Sequence, residues 1–483
     1  MVGENTFHES ASNRDSRFAS LVQAVALLDP EWLTRFAGWL RKTANMRSAS
    51  LVLAAEATRV MLREGKPGSR QLIAAVLQRA DEPGEFLAYW RTHFGRELPM
   101  PVKRGVADAA SRLYTERNVI KWSSGLKAVR FGTVVHATHP KLTPVLRYLL
   151  SLSKVDDVPI PEGLHLLAAH ADLQKASPEQ VAQWVKDGSL SERLRAAGMN
   201  WEGVPSLVNG PWTAALWEAV IPSMGYDALL KNLRNFDQAG VSDAAAAKVT
   251  AVLADPAAVA KSRLFPFRFY AAFKATGSLR WGFALEQALG HCIGNIPRLS
   301  GRTLVLVDQS PSMFPGSQYS DPQGKSDIVL AEKAALFGAA VALRADNADL
   351  IGYGHDSYVV PFGKGDSVLR TMQKFTVRNY TDTFGVLQRH YAGHDRVVIV
   401  TDEQTQVNRQ MQDPAFRRQY GWGELRPMES VVPRHVGVYT WNLCGYEYGH
   451  ATGPNWHTFG GLTSSGFEMI ELLEKGRNCD WPF

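Results

Sequence analysis

An all-α helical-repeat region followed by a C-terminal α/β domain with a Rossmann-like sheet is the fold class that this sequence predicts. Three observations carry it. Apolar residues recur at helical spacing from residue 14 to about 295, with no convincing period-two alternation. After Pro297 the pattern changes to short β-branched runs separated by helical stretches. The length, 483 residues, exceeds what one ordinary core accommodates, so two or more domains are expected.

The elements follow in order. Leu21, Val22, Val25 and Leu28 keep a helical period. Asp29-Pro30-Glu31 offers an N-cap, a proline suited to the first helical position and an acid for the first turn. Behind it runs the apolar stripe Trp32, Leu33, Phe36, Trp39 and Leu40. Segments 48–65 and 69–80 repeat the pattern, the first ending at Gly65. Ser177-Pro178-Glu179-Gln180 is a capping box with proline at N1. Further helical stretches cover 227–236, 242–254 and 266–277. Such helices, joined by short Gly/Pro turns, predict a solenoid of antiparallel pairs whose repeats have diverged.

Beyond a boundary placed at residue 298, Arg302–Asp308 reads as a buried strand ending in an acid. Segments 348–354, 396–402 and 435–442 are further strands, and 327–346 is a long amphipathic helix opened by Asp327. Strands alternating with helices predict a parallel, doubly wound sheet over 299–483. Phe314–Ser326, polar and rich in Gly, Pro and Ser, is a loop inserted after the first strand.

Composition narrows the function classes. The net charge is +6, and the excess peaks in residues 101–150, which hold nine basic and two acidic side chains. Such a block points to nucleic acid or another polyanion. Its candidates are Lys103, Arg104, Arg112, Arg117, Lys121, Lys127, Arg130 and Lys141 with His136 and His139, joined by Arg147. Lys127 and Arg130 fall on one helical face, whereas Lys103, Arg104 and Arg112 share no stripe, so the patch must come from several helices. Tyr114, Trp122 and Phe131 lie among them and read first as core, second as base-stacking platforms. The polar start of the chain lacks the apolar stretch of a signal peptide, and no uninterrupted apolar run suits a membrane span. Cys292, Cys444 and Cys479 are scattered and odd in number, which suits free thiols of a cytoplasmic protein. His136, His139, His165 and His170 lack Cys or Glu at metal-ligand spacing. Cys444 near His435 and His450 has no readable third partner, and no catalytic residue is assigned.

Oxygen ligands gather at the carboxyl ends of the strands, where open α/β sheets bind. Asp308-Gln309-Ser310-Pro311-Ser312 follows the first strand, Thr381 lies on a later loop, and Asp402 ends the strand 396–402. Two carboxylates and three hydroxyls form a hard-oxygen set that suits a divalent cation, Mg²⁺ above all. The plainer reading is that these residues shape a turn and cap a helix. D-x-S-x-S followed in order by Thr and Asp resembles the metal-ion-dependent adhesion site of von Willebrand factor A domains. Pro311 departs from the Gly or Ala usual there.

The whole chain resembles the Ro autoantigen family, in which a helical TROVE module precedes a von Willebrand factor A domain. The supporting stretches are Ile221-Pro222, Ala228–Leu233, Phe265-Pro266-Phe267-Arg268, His139-Pro140-Lys141 and Thr401-Asp402-Glu403. The compact length is similar to a bacterial-type member. The resemblance implies a HEAT-like ring over 1–298, closed by the A domain at 299–483. It implies a monomeric ribonucleoprotein that binds small noncoding Y-type RNA outside the ring and single-stranded ends of misfolded RNA within it. It also implies an exoribonuclease partner, no DNA and no membrane. Two rivals stand beside this reading: a metal-dependent adhesion or chaperone adaptor, and a metal-dependent hydrolase.

Overall fold

The computed structural model describes residues 11–122, 129–155, 158–208, 210–314, 328–402, 413–419, 428–443, 454–462 and 466–483. The loop expected at 314–326, apart from Phe314, and Lys127, Asp327, Glu403, Cys444 and His450 lie outside them. Ala11–Met224 with Pro482–Phe483 form one compact unit, and Gly225–Trp481 another.

The first unit is helical throughout. Asp29 caps the helix Pro30–Lys42 by accepting the Trp32 N–H at 2.9 Å, and Ser177 and Gln180 close the expected capping box. The helix Arg47–Arg63 is apolar on nearly every side, as its run of Leu, Val and Ala dictates. It packs against the helices Ala11–Leu28, Pro30–Lys42, Ser69–Val76 and Glu82–Phe94. Where a helix is expected over 69–80, it stops at Val76. Tertiary partners replace the missing turn: Arg112 donates to the Leu77 carbonyl at 2.6 Å, and Glu82 accepts the Gln78 and Arg79 N–H groups at 2.6 and 2.9 Å. The other oxygen of Glu82, which is 1 % exposed, takes two bonds from Arg41. Phe483 lies among Trp32, Phe36 and Trp39, with ring centroids 5.3, 5.3 and 5.7 Å away.

The second unit opens with the helices Tyr226–Ala239, Asp243–Ala254, Pro256–Ser262, Pro266–Thr276 and Leu279–Cys292. Six strands follow among the described residues: β1 Leu299–Asp308, β2 Ala345–Tyr353, β3 Ser357–Val359, β4 Arg396–Thr401, β5 Gly437–Asn442 and β6 Trp456–Gly460. Their order is β3-β2-β1-β4-β5-β6, all pairings parallel except the antiparallel β2–β3 edge. Alternation along the strands buries both faces. Val305, Val307, Val398, Val400 and Trp441 face Phe337 and Phe467, while Leu304, Leu306, Ile351, Ile399 and Val438 face Val386 and Leu387. This is the doubly wound sheet expected, with β3 and β6 added at its edges. Neither edge strand has the fully buried apolar run that makes a central strand readable.

Gly338, on the helix Leu330–Arg344, lets that helix lie against β1: a Cβ there would stand 2.4 Å from Val307 Cγ2. The change from helix to strand comes at Leu299, yet the compact unit reaches back to Gly225. Phe265 and Phe267 explain this. Their rings lie 5.5 and 5.6 Å from that of Phe467, and Phe467 lies 4.6 Å from Phe337 in the sheet's core. Among the described residues, no helix is long and apolar enough to cross a membrane.

Candidate metal centre and basic surface

β1 and β4 end side by side and put Asp308 and Asp402 at the carboxyl edge of the sheet, both without solvent exposure. Asp308 Oδ1 accepts the Ser310 N–H at 2.8 Å, and Oδ2 accepts the Thr401 hydroxyl at 2.6 Å. The hydroxyls of Ser310 and Ser312 lie 3.1 Å apart. Ser310 is extended (φ −67°, ψ 161°), the conformation that a following proline favours. Pro311 opens a short 3₁₀ turn, where no backbone donor is needed, so the turn accepts the substitution of proline for Gly or Ala.

Thr381, also buried, arrives on a loop held by backbone bonds from two sides. Arg378 N–H donates to the Gln309 carbonyl at 2.8 Å, and Asp382 N–H to the Gly354 carbonyl at 2.9 Å. His355 N–H donates to the Asn379 carbonyl at 2.7 Å. A Cβ at Gly354 would lie 2.5 Å from Arg378 Cβ and 2.8 Å from the Asn379 carbonyl oxygen, so only glycine lets the end of β2 brace this loop so closely. Asp382 caps the helix Thr383–His390 and takes a bidentate pair from buried Arg417 at 2.9 and 3.2 Å.

Burial, and then the neighbouring Asp402 carboxylate, push Asp308 well above the usual carboxylate range. Two carboxylates held dry within each other's field, beside clustered hydroxyls, fit a hard divalent cation that would neutralise them. Among the described residues no three His, Cys, Asp or Glu side chains gather as a metal cluster. Gly354, Asp382 and Arg417 are supporting residues that sequence reasoning missed, and Thr401, named there only within Thr401-Asp402-Glu403, joins them through its bond to Asp308. Only Gly354, at the end of a strand-like run, left a signal.

The basic block is distributed as the sequence implied, over several helices. Lys103, Arg104 and Arg112 lie on Met100–Leu113, Arg117 and Lys121 on Glu116–Trp122, and His136 on Phe131–Thr138, while His139 and Lys141 follow that last helix. All are exposed except Lys103, which is half-buried. The two acids of the block are occupied elsewhere. Arg70 holds Asp108 at 2.6 Å, and Glu116 accepts the Leu167 N–H at 2.9 Å. Among the described residues no carboxylate pairs with Arg104, Arg117, Lys121, Arg130 or Lys141. Arg112 is spent on the Leu77 carbonyl and Gln78. Arg130 is not on a helical face: it is the extended N-cap residue of Phe131–Thr138 (φ −73°, ψ 156°). The helix begins one residue after it, so the face shared with Lys127 does not exist at Arg130. His139, with φ 51°, ends that helix in the left-handed region. Tyr114 and Phe131 are core, their rings 4.7 Å apart, whereas Trp122 is half-buried. Cys292 is a buried free thiol and Cys479 an exposed one.

Comparison with known proteins bears on this arrangement. Residues 164–282 match the TROVE domain family model. No curated protein matches the chain. Among solved structures, the crystal structure of the Deinococcus radiodurans RO (RSR) protein is similar with a TM-score of 0.69. It is 18% identical, over 94% of this chain and 93% of that one. Residues 164–282 are thus similar to a TROVE domain, and the chain has the fold of a bacterial Ro protein, a long helical region followed by a C-terminal mixed α/β sheet.

Proposed function

We propose that this chain is a non-enzymatic RNA-binding scaffold of a cytoplasmic ribonucleoprotein. In this reading its helical repeats form a monomeric ring. Structured small noncoding RNA, of the Y type, lies on the basic surface, and single-stranded ends of misfolded RNA enter the ring for quality control or decay. An exoribonuclease is the partner, joined through the RNA. The observation that carries the reading is the set of exposed, carboxylate-free cations Arg104, Arg117, Lys121, Arg130 and Lys141 in a chain folded as a Ro protein. Cations without carboxylate partners attract phosphates at no cost in broken ion pairs.

The test is the nucleic acid that copurifies. The protein purified from its own cells is expected to absorb at 260 nm well above its aromatic content and to release a discrete small RNA on sequencing. Absorbance of protein alone, at low salt and after nuclease-free handling, refutes the reading.

A second reading draws on the buried edge at Asp308, Ser310, Ser312, Thr381 and Asp402. There Mg²⁺ would be held by the two carboxylates and the hydroxyls, and the cation supplies an open position for an acidic group of a protein partner. The two roles are compatible on one chain. An adaptor without RNA would instead retain a protein partner that dissociates on Asp308→Ala.

A further inference from the structure

A cavity of about 910 Å³ opens within the first unit, between the helices Glu116–Trp122, Pro144–Leu152 and His165–Gln174 and the residues Arg195–Ser206. Its walls differ in chemistry. Leu149, Leu152, Leu167 and Met199 supply an apolar floor, and Trp122 and Tyr148 two aromatic faces. Arg117, Lys121 and Arg195 are its fixed cations, against the single carboxylate of Glu202. None of the three cations is held by a carboxylate among the described residues, and all three are exposed.

The walls are also fixed in place. Glu116 ties the first wall to the third through the Leu167 N–H. Gly198, at φ +62°, lets the chain after Arg195 close on both: a Cβ there would lie 2.9 Å from Leu166 and 3.4 Å from Ile120. Trp122 carries two cations at its ring, the Arg79 guanidinium 4.1 Å and Lys121 Nζ 4.9 Å from the centroid, and Arg79 is itself held by Asp81. A preformed hollow with an apolar floor, aromatic sides and convergent cations lies in the size range of small-ligand pockets.

We infer that this cavity is a nucleotide site, which takes a phosphate between Arg117, Lys121 and Arg195 and the attached base against Trp122 and Tyr148. The ligand chemistry is a nucleoside monophosphate, either free or as the phosphorylated terminal nucleotide of an RNA strand. Three cations with no carboxylate partners favour a phosphate dianion over a neutral ligand. Half-buried aromatics beside an apolar floor favour a flat heterocycle over a bare phosphate. The strand version rests on the RNA-binding reading above, while the free-nucleotide version stands without it.

Arg195 separates the two readings, because it lies outside the basic block at 101–150. Titration of the full chain with AMP, with inorganic phosphate and with 5′-phosphorylated or 5′-hydroxyl hexaadenylate tests the site. AMP is expected to bind one to one and more tightly than phosphate. Arg117→Ala and Arg195→Ala should each weaken AMP at least tenfold with an unchanged melting curve. If the phosphorylated strand weakens in parallel and the hydroxyl strand does not, the terminal nucleotide is the ligand; if AMP alone weakens, the free nucleotide is. Absence of saturable AMP and phosphate-dependent strand binding, or binding indifferent to Arg195→Ala, overturns the inference. Should Arg195→Ala melt early, Arg195→Gln carries the same test with the side-chain stem kept. Retention of structured RNA by Arg195→Ala protein that never bound AMP sinks the cavity alone; AMP binding by a chain that never retains RNA sinks only the broader function.

Discussion

Asp308 and Asp402 illustrate at the scale of single residues why a site can cost stability. Each is dry, and each raises the cost of charging the other. Asp308→Asn, which keeps the shape and removes one charge, is therefore expected to hold or raise the melting temperature in EDTA. On the proposed metal site, Mg²⁺ should raise the stability of the unaltered chain by about 2.7 kcal/mol at a hundredfold excess over Kd, and the same substitution should abolish that rise. Differential scanning calorimetry with and without Mg²⁺ measures both, and a full Mg²⁺ response in Asp308→Asn would count against this site. The cations divide in the same way. Arg104→Ala, Arg130→Ala and Lys141→Ala should each lower RNA affinity and reduce the log–log salt slope by about 0.7 for every single-strand phosphate left without its cation. Arg112→Ala should instead destabilise by about 1 kcal/mol, since its guanidinium satisfies the end of a neighbouring helix. Sequence counted Arg112 with the others because nothing local says which carbonyl a long side chain will reach.

Between elements, the energies come from a few interactions that the amino-acid pattern does not display. Glu82 joins the end of Ser69–Val76 to the start of its own helix and to Arg41 in a buried pair. Glu82→Ala leaves Arg41 buried without its partner and is expected to cost about 3–5 kcal/mol by denaturant titration. Gly338→Ala would press a methyl group into Val307 and push the helix Leu330–Arg344 off the sheet, at about 1–3 kcal/mol. A destabilisation much below that range would mean that the helix can slide at no cost. The central strands β1, β4 and β5 were legible as unbroken apolar runs. The edges β3 and β6 were not, for an edge strand is half-exposed and its pairing is decided by the partner already in place.

On the scale of the whole molecule, the chain's last residues belong with its first helices, where Phe483 fills an aromatic niche among Trp32, Phe36 and Trp39. Phe483→Ala is expected to lower the stability of the first unit by about 1–2 kcal/mol, read as an earlier melting step. Local information determined the helices, their caps, the central strands and the order of the candidate metal-site residues, because caps and periodicities act over three or four neighbours. Tertiary structure alone decided which carbonyl Arg112 serves, that Gly354 braces the Thr381 loop, and that three helices wall a cationic cavity. It also drew the helices from Gly225 onward into the unit that holds the sheet. Those outcomes depend on side chains dozens of positions apart competing for the same buried space, and periodicity along the chain has no term for that competition.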